Sequence, residues 1–406
     1  MTAIEDRLAA AGLPSLPRMA WLEIDLGAIV ANLRLLRGLA GVDVPVLPVV
    51  KADAYGHGAG AVAAALVRAG VDGLCVATLD EGLALRASGV DVPVHVLYPI
   101  PAGGVGEAAA ARLSVTVGDR ASEESLLAAV ARLPAGLPPL AVQVEVETGL
   151  GRGGIDVGEL GAALVRLREA EGVEPSALWT HLQAPEDPEL TAIQLARFDE
   201  ASLVLAASGL TMPRHVSASA GVLTGIVPPY EGFRPGLAIY GLVPDELDPT
   251  SAGARAGAAL RPALSLHARP VRVADLPPGW GISYGPAFRT ARPSRIATLP
   301  FGYGDGWSRS LSNRSEALVR GMRVPIVGRV AMDAVMVDVT DVPGPPVDTA
   351  DAFVLIGRQG DEAITVGDVA QLRNTNAWEV VTSMARRLPR VYHAESGPLG
   401  LRTLIG

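Results

Sequence analysis

The sequence is short of cysteine, of basic clusters and of long apolar runs. Its one cysteine, Cys75, lies in the apolar run VDGLCVA and has no partner for an internal disulfide, so we interpret it as a buried strand residue. No uncharged apolar run approaches the length of about 18 residues that a transmembrane helix needs. The opening stretch MTAIEDRLAAAGLPSLP carries early acids and no basic region before an apolar one, which argues against a secretory signal.

The charge balance limits the partners that the chain is expected to have. Its formal net charge is −9 and it contains no basic run, so nucleic-acid binding is not expected. Hydrophobic residues make up 49% of the 406 residues, which allows large cores. The length suits a barrel with a smaller second domain. Together these features predict a globular, cytoplasmic protein that does not enter a membrane.

Short apolar runs alternate with stretches of helical period from about residue 20 to residue 245. Helical stretches include ASEESLLAAVARL and LGAALVRLREAEG, and Asp25 stands where an N-cap would open LGAIVANLRLLRGL. Such alternation indicates a parallel sheet, and eight units suggest a closed (β/α)8 barrel, although an open three-layer sheet has the same periodicity. The candidate strands are VPVLPVVK, DGLCVAT, PVHVLYP, LSVTVGD, LAVQVEVE, ALWTHL, RHVSAS and GLAIYGL.

The pattern changes after about residue 250. TSAGARAGAALRP resembles a linker, and short β-type runs such as SRIATL, VPIVG and AVMVDVT follow it, separated by Gly, Pro and Asp. We therefore predict an α/β protein with an N-terminal extension over 1–18, a barrel over 19–250 and a smaller, mostly β domain over 251–406. A helix around NAWEVVTSMARRL is expected to finish that domain.

Lys51 is the first candidate for chemistry, because it ends an apolar strand and opens the loop KADAYGHGAG. In a barrel, catalytic groups sit at this end of the strands. A low-dielectric cavity disfavours the ammonium form and leaves a nucleophilic amine, which suits an imine bond to an aldehyde cofactor. The alternative is a lysine that snorkels from a strand end into water.

A phosphate site is the second candidate. Two glycines and Tyr55 follow Lys51 closely, Ser219 follows the seventh strand, and Gly236 and Leu237 begin the eighth. Loops after strands seven and eight form the recurring phosphate site of (β/α)8 barrels. The alternative is that the Ser-Ala-Gly stretch is an ordinary turn.

Eight motifs occur in this order along the chain: VVKADAYGHG, VETGLGRGG, WTHL, FRPGLAIYG, GISYG, PFGYGDGW, VGRVAMD and LPRVY. The same motifs in the same order are found in alanine racemases, which are fold-type III enzymes that use pyridoxal 5'-phosphate (PLP). The chain resembles that family over roughly residues 19–395. The resemblance implies a barrel with a β domain, PLP as cofactor, a small amino acid as substrate, and a homodimer with shared active sites.

The resemblance assigns the acid–base roles. It makes Lys51 both the PLP-binding lysine and the base on the D-face of the substrate, and Tyr284, from the other subunit, the opposing base. Racemisation removes a proton from one face and returns one to the other, so two groups that flank Cα suit it. His181 resembles the histidine beside the phenol and the pyridine ring, although a lone histidine at a strand end is more often a core residue.

The resemblance also assigns the binding roles. Arg234 faces the pyridine nitrogen and, always a donor, keeps it unprotonated, which restrains side reactions such as transamination. Arg152 contacts the ring oxygen and the substrate carboxylate, which the backbone N–H of Met332 meets from the second subunit. No residue is assigned to a metal. Asp333 and Tyr303 line the entrance, and the phosphate ligands are Tyr55, Ser219, Gly236 and Leu237.

The chain departs from the family pattern at several positions. Many members carry a carbamylated lysine where this chain has Glu145, which would supply a negative charge directly or be an ordinary strand carboxylate. Ala218 and Ala331 replace a more usual asparagine and cysteine, and HLQAPED replaces an HFA-type stretch. Arg386 aligns with a tyrosine that contacts the phosphate in some members, and an arginine also binds phosphate.

Four functions remain open on these grounds. The first is an alanine racemase, and the second is a racemase of the same fold that accepts serine or a broader range of small amino acids. The third is a fold-type III decarboxylase, which would not explain GISYG together with KADAYGHG. The fourth is a non-catalytic PLP-binding protein, which needs only a barrel and leaves the second domain unexplained.

Overall fold

The computed structural model describes residues 3–395 and 397–405. The chain divides into two compact units. The barrel unit comprises Ile29–Ala54 and Ala59–Arg261. The β-rich unit comprises the residues up to Ala28, Tyr55–Gly58, and the chain from Pro262 onward. Among the described residues, no helix is both long and apolar enough to cross a membrane.

The strands and helices are numbered in chain order. The strands are β1 Ala20–Asp25, β2 Leu74–Val76, β3 Val94–Val96, β4 Leu113–Val117, β5 Leu140–Glu145, β6 Val173–Trp179, β7 Arg214–His215, β8 Leu264–Ala268, β9 Arg272–Leu276, β10 Gly281–Ile282, β11 Phe288–Arg289, β12 Ser294–Leu299, β13 Glu316–Val319, β14 Met322–Val327, β15 Val335–Asp338, β16 Phe353–Gln359, β17 Glu362–Ile364, β18 Arg390–Ala394 and β19 Gly397–Arg402. The helices are α1 Ile4–Ala10, α2 Leu26–Ala40, α3 Lys51–Tyr55, α4 Ala59–Arg68, α5 Leu79–Ala87, α6 Val105–Ala110, α7 Arg120–Val130, α8 Val157–Glu169, α9 Pro188–Ala207, α10 Ser219–Thr224, α11 Ala252–Gly257, α12 Val366–Arg373 and α13 Ala377–Thr382.

The barrel unit is a closed ring. Strands β2 to β7 form a parallel sheet in sequence order. Beyond its first edge, Val49 bridges Cys75 of β2 in parallel, and the N–H of Val49 donates to the carbonyl of Pro235 at 2.9 Å. The neighbouring N–H of Arg234 donates to the carbonyl of Ser217, just after β7, at 2.8 Å. Eight segments therefore close on themselves, which confirms the (β/α)8 barrel and excludes the open sheet.

Two of the predicted barrel strands take other forms. The run VPVLPVVK makes isolated bridges at Val46 and Val49 rather than a continuous strand, because Pro45 and Pro48 have no N–H to donate. The run GLAIYGL is a buried 3₁₀ turn, Leu237–Tyr240, and the residues just before it complete the ring. A wholly apolar run does not reveal by its periodicity whether it is a strand or a helix.

The helices around the barrel begin where the sequence provides capping side chains. The N–H of Ala28 donates to Asp25 at 2.8 Å, as predicted for the start of α2. Asp119 caps α7 and Asp156 caps α8 in the same way, and these helices confirm ASEESLLAAVARL and LGAALVRLREAEG. Cys75 is fully buried on β2, also as predicted.

The β-rich unit is built on an eleven-stranded sheet. Along its path the order is β19-β18-β1-β8-β16-β13-β14-β15-β12-β9, and β17 pairs with β16. Strands β12, β14 and β15 confirm SRIATL, VPIVG and AVMVDVT. The predicted final helix is shorter than its pattern, ending at Thr382, and β18 and β19 follow it. The segment called a linker contains the short helix α11.

Candidate active site

Lys51 leaves the barrel wall through α3, which is a left-handed turn and not a right-handed helix. The four residues after it have positive φ angles between 51° and 56° although none is glycine. An L-residue in this conformation costs about 1–2 kcal/mol. Such strain persists only where the surroundings fix the backbone, and it concentrates at functional sites. The N–H of Ala54 donates back to the carbonyl of Val50 at 2.9 Å, which closes the turn around Lys51.

The Lys51 side chain is partly buried and lies in a positive field. Burial lowers the pKa of its ammonium group, and the nearby charge of Arg152 lowers it further. Glu81 and Cys75 act in the opposite direction. However, burial raises the pKa of the Cys75 thiol to about 12, so this group is uncharged near neutrality. Of the two, Glu81 is therefore the one whose negative charge opposes the lowering of the Lys51 pKa. The ammonium form of Lys51 is therefore disfavoured relative to a lysine in water, and loss of its proton leaves a nucleophilic amine.

Arg234 is buried in the barrel with its two terminal nitrogens fully engaged. Nη1 donates to the Nδ1 and the carbonyl of His215, and Nη2 donates to the carbonyls of Thr180 at 2.7 Å and Val216 at 3.2 Å. Its guanidinium carbon lies 4.8 Å from the ring centre of Trp179. Burial lowers the pKa of Arg234 to about 10, so it stays charged near neutrality. Of the N–H groups of Arg234, only the one on Nε finds no acceptor among the described residues, which leaves one fixed donor for a ligand.

Two histidines near Arg234 are uncharged. Removal from water lowers the pKa of His181 to about 3, with Arg234, Arg152 and Lys51 adding to the effect. Burial and then Arg234 lower the pKa of His215 well below its usual value. A neutral His215 accepts from Arg234 through Nδ1, as the geometry requires. The cluster thus carries its positive charge on arginine rather than on imidazole.

Arg152 and Glu145 form a partly buried ion pair at 3.4 Å. The Arg152 side chain is 39% exposed, whereas that of Glu145 is 6% exposed. The guanidinium carbon of Arg152 also lies 5.6 Å from the ring centre of Tyr98. Burial raises the pKa of Glu145, and Arg152 opposes this. Arg152 is therefore held by an anion and an aromatic face while part of it remains accessible to a ligand.

The predicted phosphate ligands from the seventh and eighth barrel loops come together. The Ser219 hydroxyl oxygen accepts from the N–H of Gly236 at 3.0 Å and from the N–H of Ala238 at 3.1 Å. The N–H of Gly236 is thus directed at Ser219. Ser219 begins α10 and Leu237 begins the 3₁₀ turn, and the first N–H groups of a helix have no partner within it. Because the N–H groups of Gly236 and Ala238 already donate to Ser219, the donors that remain for a ligand are the Ser219 hydroxyl, the first N–H groups of α10 and the N–H of Leu237.

The β-rich unit presents the remaining predicted residues at its surface. Tyr284 is 74% exposed in the turn between β10 and β11, and Met332 is 52% exposed. The N–H of Tyr303 donates to the carbonyl of Ala331, the residue that precedes Met332 in the chain, at 3.0 Å. Tyr55, also in this unit, is buried, and Arg386 is exposed.

A buried carboxylate fixes the segment that carries Tyr303. Asp305 accepts from Arg18 at 2.7 Å and from Arg387 at 2.7 Å, and its second oxygen accepts from the N–H of Gly302. Arg387 also donates to Asp333 at 2.6 Å. Asp333, predicted at the entrance, is therefore tied to a buried ion network within its own unit.

Sequence reasoning missed several residues that shape this cluster. His215 and Trp179, which hold Arg234, lie in predicted strands, but nothing in their spacing reveals that they flank an arginine. Likewise, nothing in the sequence around Tyr98 reveals that its ring packs against Arg152. Glu81 has one: Thr78 and Glu81 form a capping-box pattern at the start of α5, readable from the sequence.

The fold and the site together define a class: a barrel enzyme with a lysine at the carboxyl end of its first barrel segment and a second, β-rich unit. Residues 24–244 match the family model of the alanine racemase N-terminal domain, and residues 263–392 match that of the C-terminal domain. The chain belongs to the alanine racemase family.

Relatives and solved structures agree with that assignment over nearly the whole chain. The alanine racemase of Symbiobacterium thermophilum is 40% identical over 93% of this chain and 98% of its own length. The crystal structure of alanine racemase from Bacillus anthracis with bound L-Ala-P has a TM-score of 0.88 at 33% identity, covering 97% of this chain and 99% of that one. Alanine racemase from Bartonella henselae with covalently bound pyridoxal phosphate has a TM-score of 0.78 at 29% identity, covering 93% of this chain and 100% of that one.

Proposed function

We propose that this chain is a PLP-dependent racemase that interconverts L- and D-alanine. The observation that carries the proposal is the setting of Lys51, a partly buried amine whose pKa is lowered by burial and by Arg152. It stands at the carboxyl end of a barrel segment, where enzymes of this fold place their chemistry. The membership of the family and the relatives' names support alanine as substrate.

The residues of the barrel unit suit PLP. The Nε hydrogen of Arg234 is the one donor of that side chain still available, and an aromatic nitrogen is a suitable acceptor for it. Because Arg234 stays charged near neutrality, it would hold that nitrogen unprotonated. Lys51 supplies the amine for the aldehyde. His181 is neutral and adds no competing charge.

The phosphate and the carboxylate would be bound by separate groups. We assign the phosphate to Ser219, Gly236 and Leu237, with Tyr55 as the further ligand that the resemblance names; Gly236 acts by positioning the Ser219 hydroxyl. We assign the substrate carboxylate to Arg152, whose orientation Glu145 and Tyr98 support, and to the N–H of Met332 of the partner subunit. A guanidinium presents a planar pair of donors that matches a carboxylate.

The proton transfers would use two bases on opposite faces of the substrate. When bound, PLP withdraws electron density from Cα and so makes its proton acidic. The Nζ of Lys51 takes or returns that proton on the D-face, and the Oη of Tyr284 of the partner subunit does so on the L-face. The high exposure of Tyr284 on its own chain supports a role completed by a second copy. The active form in this proposal is a homodimer.

We place this enzyme in the cytoplasm, where its product would serve as a supply of D-alanine. One buried free thiol, Cys75, suits a reducing compartment. A second candidate function is racemisation of serine or of a broader range of small amino acids. The small side chains of Ala218 and Ala331, where many family members carry larger ones, favour that alternative.

The test is a racemisation assay on purified holoenzyme with each enantiomer of alanine and serine, followed by chiral chromatography. We expect alanine to reach a racemic mixture from either side, with serine slower. Lys51→Ala is the matched control for contaminating activity and should be inactive. A wild-type protein that racemises neither amino acid, and that exchanges no Cα proton in D₂O, would refute the proposal.

A further inference from the structure

Glu81 joins the loops after two neighbouring barrel segments. Its Oε2 accepts from the N–H of Ala77 at 2.8 Å and from that of Thr78 at 3.3 Å, which caps α5. Its Oε1 accepts from the N–H of Ala52 at 2.6 Å, and Ala52 is the residue that follows Lys51. Both contacts lie within the barrel unit. A capping box needs only the bond from the N-cap residue Thr78, so helix capping does not account for the bond from Ala52.

Ala52 is the point at which the backbone becomes left-handed, with a φ of 51°. On the other side of Lys51, the N–H of Val50 donates to the carbonyl of Cys75 on β2 at 2.8 Å. Lys51 is therefore held by hydrogen bonds on both flanking residues, one to a strand and one to a carboxylate. A hydrogen bond to an ionised group is stronger than one between neutral groups, which suits it to hold a strained turn.

We propose that Glu81 is a positioning residue that fixes the backbone of Lys51 at the barrel mouth and balances the charge of Arg152 upon its amine. This inference rests on the proposed function, in which Lys51 binds PLP and moves a proton. The charge balance agrees with the directions of the two electrostatic effects on Lys51: Glu81 raises the pKa of its amine, whereas Arg152 lowers it. Glu81 contacts neither cofactor nor substrate in this scheme and acts through Lys51 alone.

The test uses Glu81→Gln, because glutamine keeps the shape but has one acceptor atom for the sites that two carboxylate oxygens serve. Asp368→Asn is the matched control. Asp368 occupies the same N3 position in the capping box of α12, where it accepts from the N–H of Thr365 at 2.7 Å. Both changes remove a charge and weaken a cap, but only the first is bonded next to Lys51.

Two readouts are independent of catalysis and are made on cofactor-free protein. In Glu81→Gln, hydrogen exchange at the Ala52 amide, resolved by mass spectrometry of fragments across 50–58, should accelerate about tenfold or more. Competitive labelling of Lys51 over a pH series should show its amine titrating at lower pH. Asp368→Asn should leave both unchanged. Glu81→Asp retains the charge on a shorter arm, so it should restore the titration more than the protection of Ala52.

On the holoenzyme, kcat for alanine should fall in Glu81→Gln while KM changes little, because Arg152 and not Lys51 binds the carboxylate. Unchanged exchange at Ala52 would overturn the positioning role, and an unchanged Lys51 titration would overturn the charge balance. Failure of the proposed function is a different result: the wild type would then lack racemisation and a cofactor on Lys51. In that case the exchange and labelling measurements still decide whether Glu81 fixes Lys51.

Discussion

Arg152 and Glu145 lie 3.4 Å apart, with Glu145 at the end of β5 and Arg152 on the loop that follows it. The pair is asymmetric, because the carboxylate is buried and the guanidinium is partly exposed. Burial raises the pKa of Glu145, so only its cationic neighbours favour its ionised form. An anion fixed in the sequence at this position needs no modification, unlike the carbamylated lysine of many family members.

The first prediction follows from this pair. Glu145→Gln should weaken alanine binding through a poorly oriented Arg152, by about 1–3 kcal/mol, because the carboxylate that is lost is buried. KM should rise accordingly and kcat should change less. Wild-type activity should not depend on dissolved carbon dioxide. Glu124→Gln, which breaks the exposed pair with Arg120, is the control. If Glu145→Gln and the wild type have the same steady-state kinetics, the charge of Glu145 does not contribute to substrate binding.

The second prediction concerns the attachment of the cofactor. Borohydride reduction of the holoenzyme, followed by peptide mapping, should place the pyridoxyl group on Lys51, because its amine combines burial with a lowered pKa. Lys51 is the only lysine in the sequence, so the α-amino group is the only other amine that the cofactor could label. A reduced protein that carries no pyridoxyl group, or carries it only on the α-amino group, would remove the basis of the site described above.

The third prediction is directional. Tyr284→Phe removes one of two opposed bases, so reprotonation of one face should fail while Lys51 still acts on the other. Racemisation should collapse, and residual exchange of the Cα proton for deuterium should be confined largely to D-alanine. Tyr230→Phe is the control, since that phenol donates to Asp199 elsewhere on the barrel. Equal exchange from both enantiomers would show that Tyr284 is not the second base.

The fourth prediction tests whether the site is shared between subunits. Lys51→Ala and Tyr284→Phe homodimers should each be nearly inactive. In a mixed dimer, one site collects both lesions and the other is intact. Random exchange of equal amounts makes half of the dimers mixed, so about a quarter of full activity should return. Native mass spectrometry of differently tagged chains checks the exchange. Mixed dimers that form and stay inactive would place both bases on one chain.

The fifth prediction is a dependence of stability on pH. Burial lowers the pKa of His95 to about 4, below the value near 6.5 expected in the unfolded chain. Between these values the unfolded chain binds a proton that the folded chain does not, so stability falls as the pH falls from 6.5 to 4, by about 3 kcal/mol at most. The urea midpoint should fall less steeply in His95→Gln. Parallel curves for the two proteins would contradict this assignment.

The barrel was predictable because each of its strands is a short apolar run bounded by turn residues and followed by a helical period. Six of the eight runs form the parallel sheet. The strand predictions for the other two runs were wrong for local reasons. Prolines at 45 and 48 cannot donate to a ladder, and the run Leu237–Tyr240 is apolar throughout and so carries no period at all.

The site was predictable only where its residues belong to motifs. The sequence pointed to Lys51 and, through the resemblance, to Arg234, but not to the four acceptors that occupy the ends of Arg234. Three of the four acceptors are backbone carbonyls. Every residue has one, so the sequence does not indicate which carbonyls will accept from Arg234. Glu81 illustrates the same limit, since its helix-capping role is readable from Thr78 onward while its bond to Ala52 depends on how two loops meet.

The left-handed turn after Lys51 reverses the usual ranking of amino acids along 52–54. In a mutational library, glycine ordinarily weakens a structured segment, whereas here it relieves the steric penalty that alanine bears at a φ near 50°. β-Branched residues should be depleted, since they tolerate this conformation least. Ala54 is fully buried, which leaves alanine and glycine as the residues that fit. The stretch would therefore evolve under a conformational constraint that hydrophobicity scales do not register.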